Sequence, residues 1–296
     1  MKPHKKRLVL PYLLVTPALL LLAAFMLYPM LSNLAISLFQ YKLTSTKRPF
    51  VGLANYATII QESRIWAAMG RTVLWTAVNL ALIVLLGLIL AMLLNTRFPG
   101  SGFLKAFMLV PWILPSVITG YIWQLMLAED AGIVTYAMKA LKLVEPDFSW
   151  FASGGTSMAA AIMANSWRAF PFVALLVYAR LSNQSRDQVE AAVIDGAGRW
   201  QVFRYVTLPH IRPVLSNCTL LIFIWTFNAY DIMRVMTNGG PAEKTTTMSI
   251  IVYKEAFNYY SISNAATISV LMFSIMLSII LVVRLIRNAF FAGGED

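Results

Sequence analysis

Cysteine is nearly absent from this sequence: Cys218 stands alone in an apolar run. That excludes a disulfide framework and a thiolate metal site, and leaves Cys218 as a small buried hydrophobe. Histidine is almost as scarce. His4 lies in the N-terminal tail and His210 in a polar loop, so neither an HExxH pair nor a Ser-His-Asp arrangement can be drawn. No G-x-x-x-x-G-K-[ST] stretch occurs, so the chain has no phosphate loop with which to hydrolyse a nucleotide. Charge is sparse as well, at 12% of 296 residues against 59% apolar. Soluble domains carry about 25% charged and about 45–50% apolar residues. With a mean hydropathy of +0.68, this chain must bury its apolar surface in lipid.

The net charge of +11 does not indicate nucleic acid, because the basic residues form no groove-tracking patch. They flank apolar segments instead. The fold class is therefore all-α, a polytopic membrane protein read as one domain over 1–296. Its six transmembrane helices fall at about 10–38, 71–94, 104–127, 156–181, 213–237 and 262–286. The first segment is too long for a signal-peptide core and has no clear A-x-A site, so it reads as an uncleaved span. Pro11, Pro17 and Pro29 can kink it, and Pro111 and Pro115 sit one turn apart in the third. Lys2, Lys5, Lys6, Arg7, Arg97, Lys105, Arg180 to Arg212, Arg284 and Arg287 would then lie inside. They outnumber the basic residues of the outer loops, so both termini are placed in the cytoplasm.

The longest polar passage in the second half of the chain runs from Ser185 to Val214. Ser185 and Gln188 have the spacing of a capping box. Val189, Ala192 and Val193 follow at helical spacing, and Gly196 and Gly198 then allow a sharp bend. A second short turn carries Trp200, Phe203 and Val206 before Leu208-Pro209. This helix–bend–helix has an apolar stripe and no soluble domain to pack against, which calls for a partner.

Glu190-Ala191-Ala192, Asp195-Gly196-Ala197, Gln201, Phe203 and Leu208-Pro209 resemble the EAA loop of membrane subunits of bacterial ABC importers. The resemblance implies the type I importer permease fold, with residues 185–212 as a cytoplasmic coupling loop. Glu190, Ala191, Ala192, Asp195, Gly196, Ala197, Trp200 and Phe203 would seat in a cleft of a separate ATPase. It further implies a second homologous permease, an ATPase dimer that uses ATP and magnesium, and a periplasmic solute-binding protein. This chain would bind no cofactor, would not itself be an enzyme, and would reside in the bacterial inner membrane among its lipids.

Phe50 to Tyr56, Phe227-Asn228-Ala229-Tyr230-Asp231, Met236 to Pro241 and Tyr253 to Phe257 are similar to the carbohydrate-uptake branch, related to the maltose and glycerol-phosphate importer permeases. Met236 and Ser263 depart from it, standing where relatives often carry leucine and glycine. Ionisable residues inside spans cost about 2.5–3.5 kcal/mol each and mark pathways or partners. Arg168 beside Trp167, and Trp225, Asn228, Tyr230 and Asp231 in the fifth span, combine rings that stack on sugars with groups that take up hydroxyls. The alternatives are that Asp231 pairs with Arg234 three residues on, and that the tryptophans only pack or form an interfacial belt. An ion-coupled secondary transporter is the rival reading, with Asp231 as its carboxylate.

Overall fold

A computed structural model describes residues 4–96 and 100–291, with side chains described for 11–96 and 100–285. Lys2 and Arg97, and the side chains of Lys5, Lys6, Arg7 and Arg287, lie outside these. Among the described residues the chain is helical, with two isolated β-bridges and no strand. Five helices are long and apolar enough to cross a membrane, and a sixth crossing requires a bent pair. The chain divides into two compact units, 1–66 with 251–296, and 67–250.

In the first unit, α1 (His4–Leu22) and α2 (Tyr28–Ser37) form one rod through a π turn, Ala23–Leu27. Pro29 explains the turn. Its ring displaces the carbonyl four residues back, at Phe25, and a wider turn absorbs the clash. After α3 (Ala54–Gln61), a polar cluster fixes the segment that follows the first span. Asn55 Nδ2 donates to the carbonyls of Ser37 and Phe39 at 2.8 and 2.9 Å. Buried Glu255 accepts from Arg64 at 2.6 Å and from Asn264 at 3.1 Å.

The second unit is built on α4 (Ser63–Asn95), whose greater part lies in it. The third span does not run straight from 104 to 127. It is α5 (Ser101–Phe107), α6 (Val110–Ile113) and α7 (Ser116–Met126), with a 99° bend between Ile113 and Ser116. Leu114 precedes Pro115 and is forced into the extended region, at ψ 133°. Neither piece alone, at about 1.5 Å per residue, matches a hydrocarbon core about 30 Å thick.

After α8 (Ile133–Ala140), α9 (Gly154–Leu181) opens with Ser153 Oγ accepting from the Thr156 amide. A polar hub joins α9 to α4. Asn79 Oδ1 accepts from Asn165 at 2.8 Å and from Ser166 at 3.2 Å, while its amide donates to the Trp75 carbonyl. All three side chains are buried, as inter-helix polar contacts in a membrane must be.

The loop adds α10 (Arg186–Ile194) and α11 (Arg199–Val202). A π turn, Phe203–Thr207, then leads into α12 (Leu208–Phe227). Pro209 again stands four residues after a member of the π turn, Tyr205. The fifth span stops at Phe227, ten residues short of the expected Thr237, and restarts as α13 (Asp231–Met236). Two further helices, α14 (Met248–Tyr253) and α15 (Ile262–Phe291), complete the chain. In the first unit α15 packs on α2 through the small buried residues Ser37, Ala266 and Thr267.

Helices α4 and α9 touch closely at Gly87. A Cβ there would lie 2.7 Å from Val173 Cβ and 3.1 Å from the Phe170 carbonyl. Gly87→Ala should therefore cost about 1–3 kcal/mol, as overpacked cores do. Gly70→Ala, which meets nothing within 4 Å, should be neutral or stabilising. Melting temperatures in detergent check this. An undiminished value for Gly87→Ala would refute the close packing.

Candidate coupling loop and solute pathway

Residues 185–207 form the helix–bend–helix that the sequence indicates, with one correction. Ser185 occupies the N-cap of α10, but its side chain makes no capping bond, so the expected box with Gln188 does not close. Asp187 in the first turn supplies negative charge to the helix start instead. The C-terminal end is fully served. Gly196 adopts φ +86°, its amide donates to Val193, and the Ala197 amide donates to Ala192 at 2.9 Å. These bonds make a Schellman motif, which glycine permits at low cost. Gln201 Oε1 accepts from the Gly198 amide at 2.7 Å and so starts α11.

Glu190, Ala191, Asp195 and Gly196 are exposed on this loop, while Ala192 and Ala197 are half-buried. Val193, Ile194, Trp200 and Tyr205 are also exposed, Ile194 at 84%. The Trp200 and Phe203 rings pack together at a tilt, with centroids 5.5 Å apart. Of the stripe read from sequence, Val193 and Trp200 are exposed, while Val189, Ala192, Phe203 and Val206 are half-buried; Ile194 and Tyr205 add to the exposed apolar surface.

The pathway candidates are only partly assembled. Trp225, Asn228 and Asp231 do not share one helical face, because the helix ends between the first and the other two. Asn228 is the reason. Its Nδ2 donates to the Ile224 carbonyl at 2.9 Å, and such short polar side chains compete with the helical ladder. The carbonyls released at the break find other donors. Trp75 Nε1 donates to Thr226 O at 2.9 Å, and Ser249 Oγ donates to Ala229 O at 2.8 Å.

Asp231 opens α13 and accepts from Ser116 Oγ at 2.9 Å. Ser116 is the first residue of α7, so the two helix starts that follow the two breaks meet here. Helices α7 and α13 pack along each other beyond this point. Asp231 also acts electrostatically on Arg168, whose Nε is buried without a hydrogen bond among the described residues.

The aromatics fall into two separate sets. Trp225, 47% exposed, packs against Phe172, which stacks on Trp112. Trp167 meets Trp123 edge-on at 5.9 Å. Tyr230 is half-buried and leans on the core that contains Trp75, Ile232 and Met233. Trp75, Asn79, Ser116 and Ser249 were not singled out from sequence. Asn79 is an ordinary polar residue in an apolar stretch, Trp75 is one of eight tryptophans, Ser249 follows a run of threonines, and only Ser116, beside Pro115, carries a local hint.

Several long apolar helices, breaks in the third and fifth candidate spans and an exposed polar loop are features expected of a membrane-transport subunit. Residues 83–292 match the family described as "Binding-protein-dependent transport system inner membrane component", and the chain belongs to that family. The trehalose/maltose transport system permease protein MalF of Thermococcus litoralis is 34% identical over 276 residues, 92% of each chain. The inner membrane ABC transporter permease protein YcjO of Escherichia coli is 34% identical over 274 residues, again 92% of each. The sulfoquinovosyl glycerol transport system permease protein SmoG of Agrobacterium fabrum is 29% identical over 282 residues, 95% of this chain and 91% of its own. In fold the chain is similar to a bacterial ABC transporter involved in alginate import, with a TM-score of 0.83, 18% identity and 97% of both chains covered. The type I ABC importer permease fold expected from sequence is therefore present.

The Trp75 bond is the testable element of the fifth-span break. Trp75→Phe keeps a buried ring but leaves the Thr226 carbonyl with only the Ala229 amide as donor, and the lost bond should cost about 0.5–1.5 kcal/mol. A melting temperature in detergent equal to that of the unsubstituted protein would show that the bond contributes nothing.

Proposed function

We propose that this chain is one membrane half of an ATP-driven importer for a sugar or sugar-like solute, coupled to a separate ATPase through α10. The carrying observation is the exposed stripe of Val193, Ile194, Trp200 and Tyr205 around the Gly196 bend. Apolar side chains held outside the lipid on a well-formed loop need a protein partner. Glu190, Ala191, Ala192, Asp195, Gly196, Ala197, Trp200 and Phe203 form the proposed ATPase contact. ATP and magnesium would be used by that partner, and this chain would hold no cofactor.

A second homologous permease would complete the pathway, and a periplasmic binding protein would deliver the solute. The alginate importer of similar fold has been crystallised with such a periplasmic protein, bound to an alginate pentasaccharide. Family membership favours this reading over an ion-coupled transporter. The relatives' names, trehalose/maltose and sulfoquinovosyl glycerol, support a carbohydrate class. Trp225, Asn228 and Asp231, all exposed, are the proposed solute contacts, with Trp167, Arg168 and Tyr230 half-buried beside them. ATP-driven closure of the ATPases would displace α10 and rock the spans between two access states.

Two measurements test this. Ile194→Asp and Trp200→Ala should lower recovery of the ATPase with the purified permease at least tenfold, about the effect of losing an aromatic anchor. Full recovery with both variants would refute coupling at α10. Counting the bent pair as one span gives six crossings, which would put both ends of the chain on the same side, and the flanking basic residues favour the cytoplasmic one. In a Cys218→Ser background, Ala242→Cys should then react with an impermeant maleimide from the periplasm, and Gln188→Cys only after permeabilisation. The reverse pattern would overturn the orientation.

A further inference from the structure

His210 lies in the first turn of α12 rather than in the loop, and it is paired with Arg180 in the last turn of α9. Arg180 Nε donates to the His210 carbonyl at 3.0 Å, and His210 Nε2 lies 2.9 Å from the Arg180 carbonyl. A carbonyl can only accept, so Nε2 carries the proton. Each side chain therefore holds the other residue's backbone, and any sliding of α9 past α12 breaks both bonds. The pair sits where the coupling loop leaves the fourth span and rejoins the fifth. From Arg199 to Phe227 the chain is one continuous helical rod through the π turn. On the α9 side, the connection to α10 is only the short turn 182–185. Buried Val177, Leu181 and Ile211 also pack α9 against α12, and the reciprocal bonds add a directional restraint on sliding that apolar packing does not give.

We infer that Arg180 and His210 are positioning residues that lock the inner ends of α9 and α12 together, so that displacement of the loop moves both spans. The inference rests on the coupling reading above. Its geometric basis is the reciprocal side-chain-to-backbone pairing across the base of the loop. Glutamine at 210 can place an amide donor near the position of Nε2, whereas leucine fills similar space without a donor.

The test uses the assembled complex of this chain, its partner permease and the ATPase in nanodiscs, in a Cys218→Ser background. Spin labels go at Ala179→Cys and Pro213→Cys, both exposed. With His210 present, the pair should give one narrow distance both without nucleotide and after trapping with ATP and vanadate. His210→Leu should broaden the trapped distribution at least twofold, and His210→Gln should restore it. Arg180→Leu, removing the other side of the clamp, provides a second route if His210→Leu fails to assemble. A distribution in the leucine variants as narrow as with His210 present would overturn the clamp. So would a His210→Gln distribution as broad as that of His210→Leu. ATPase recovery by Ile194→Asp, measured in parallel, reports on the coupling reading alone, and the distance distributions report on the clamp alone.

Discussion

Hydrocarbon offers no hydrogen-bond partners, so every backbone group freed inside a span must be satisfied by the protein itself. That constraint shapes the larger unit of this chain. Two spans are interrupted, between Ile113 and Ser116 and between Phe227 and Asp231. At the first break Pro115 has no amide to satisfy. At the second, Trp75 and Ser249 take up the carbonyls of Thr226 and Ala229. The indole and the hydroxyl come from other helices, so the interruption that Asn228 begins is fixed by tertiary structure as well as by local sequence. Both restarts begin with polar side chains that bond to each other, Ser116 and Asp231.

The same backbone accounting explains how the 185–207 loop is joined to the fifth span. Pro209 would break a regular helix, but the π turn Phe203–Thr207 takes up its clash and preserves the rod. The 29 residues from Arg199 to Phe227 extend about 43 Å at 1.5 Å per residue. One end of this rod abuts the Gly198 bend and the uncovered Trp200. The other ends at Asn228, next to the Asp231–Ser116 contact. A single stiff element thus connects the proposed ATPase contact to the proposed solute contacts, and the Arg180–His210 pair ties its base to α9. Secondary structure alone accounts for mechanical continuity between the two places.

Hydropathy and flanking charge made the long helices legible, and α4, α9 and α15 fall within a few residues of the segments read from sequence, α4 beginning eight residues early. The EAA-like spacing located α10, the Gly196 bend and α11 closely, because glycine at positive φ is a strong local signal. The breaks were not legible. Pro111 and Pro115 read as a tolerated kink, whereas the extended conformation forced on Leu114 turns the chain by 99°. Asn228-Ala229-Tyr230 has neither proline nor glycine, and the apolar run of Ile232, Met233 and Val235 behind it keeps the hydropathy high. What ends α12 is one asparagine side chain together with donors on distant helices, which no local window contains. The failed box at Ser185 has a different cause: cap spacing states an opportunity, and Asp187 serves the same helix end by charge.

The break also separates two uses of polarity that look alike in sequence. A lone ionised group in a span costs about 2.5–3.5 kcal/mol, so one that persists needs a compensating partner. Asp231 has Ser116 and the field of Arg168, and it stands at a helix start where the backbone dipole favours negative charge. Its presence is accounted for by structure before any solute is invoked. The same holds for Trp167 against Trp123, and for Trp75, whose indole is spent on Thr226. Trp225 is different. One side of its ring environment is Phe172, yet nearly half of the side chain is exposed. It lies three residues before Asn228, at the mouth of the break. Exposed aromatic surface beside an exposed amide is the combination that stacks on a sugar ring while meeting its hydroxyls. On the proposed pathway Trp225 and Asn228 are therefore the candidates to meet a sugar, while Asp231 bonds to Ser116 and faces the charge of Arg168.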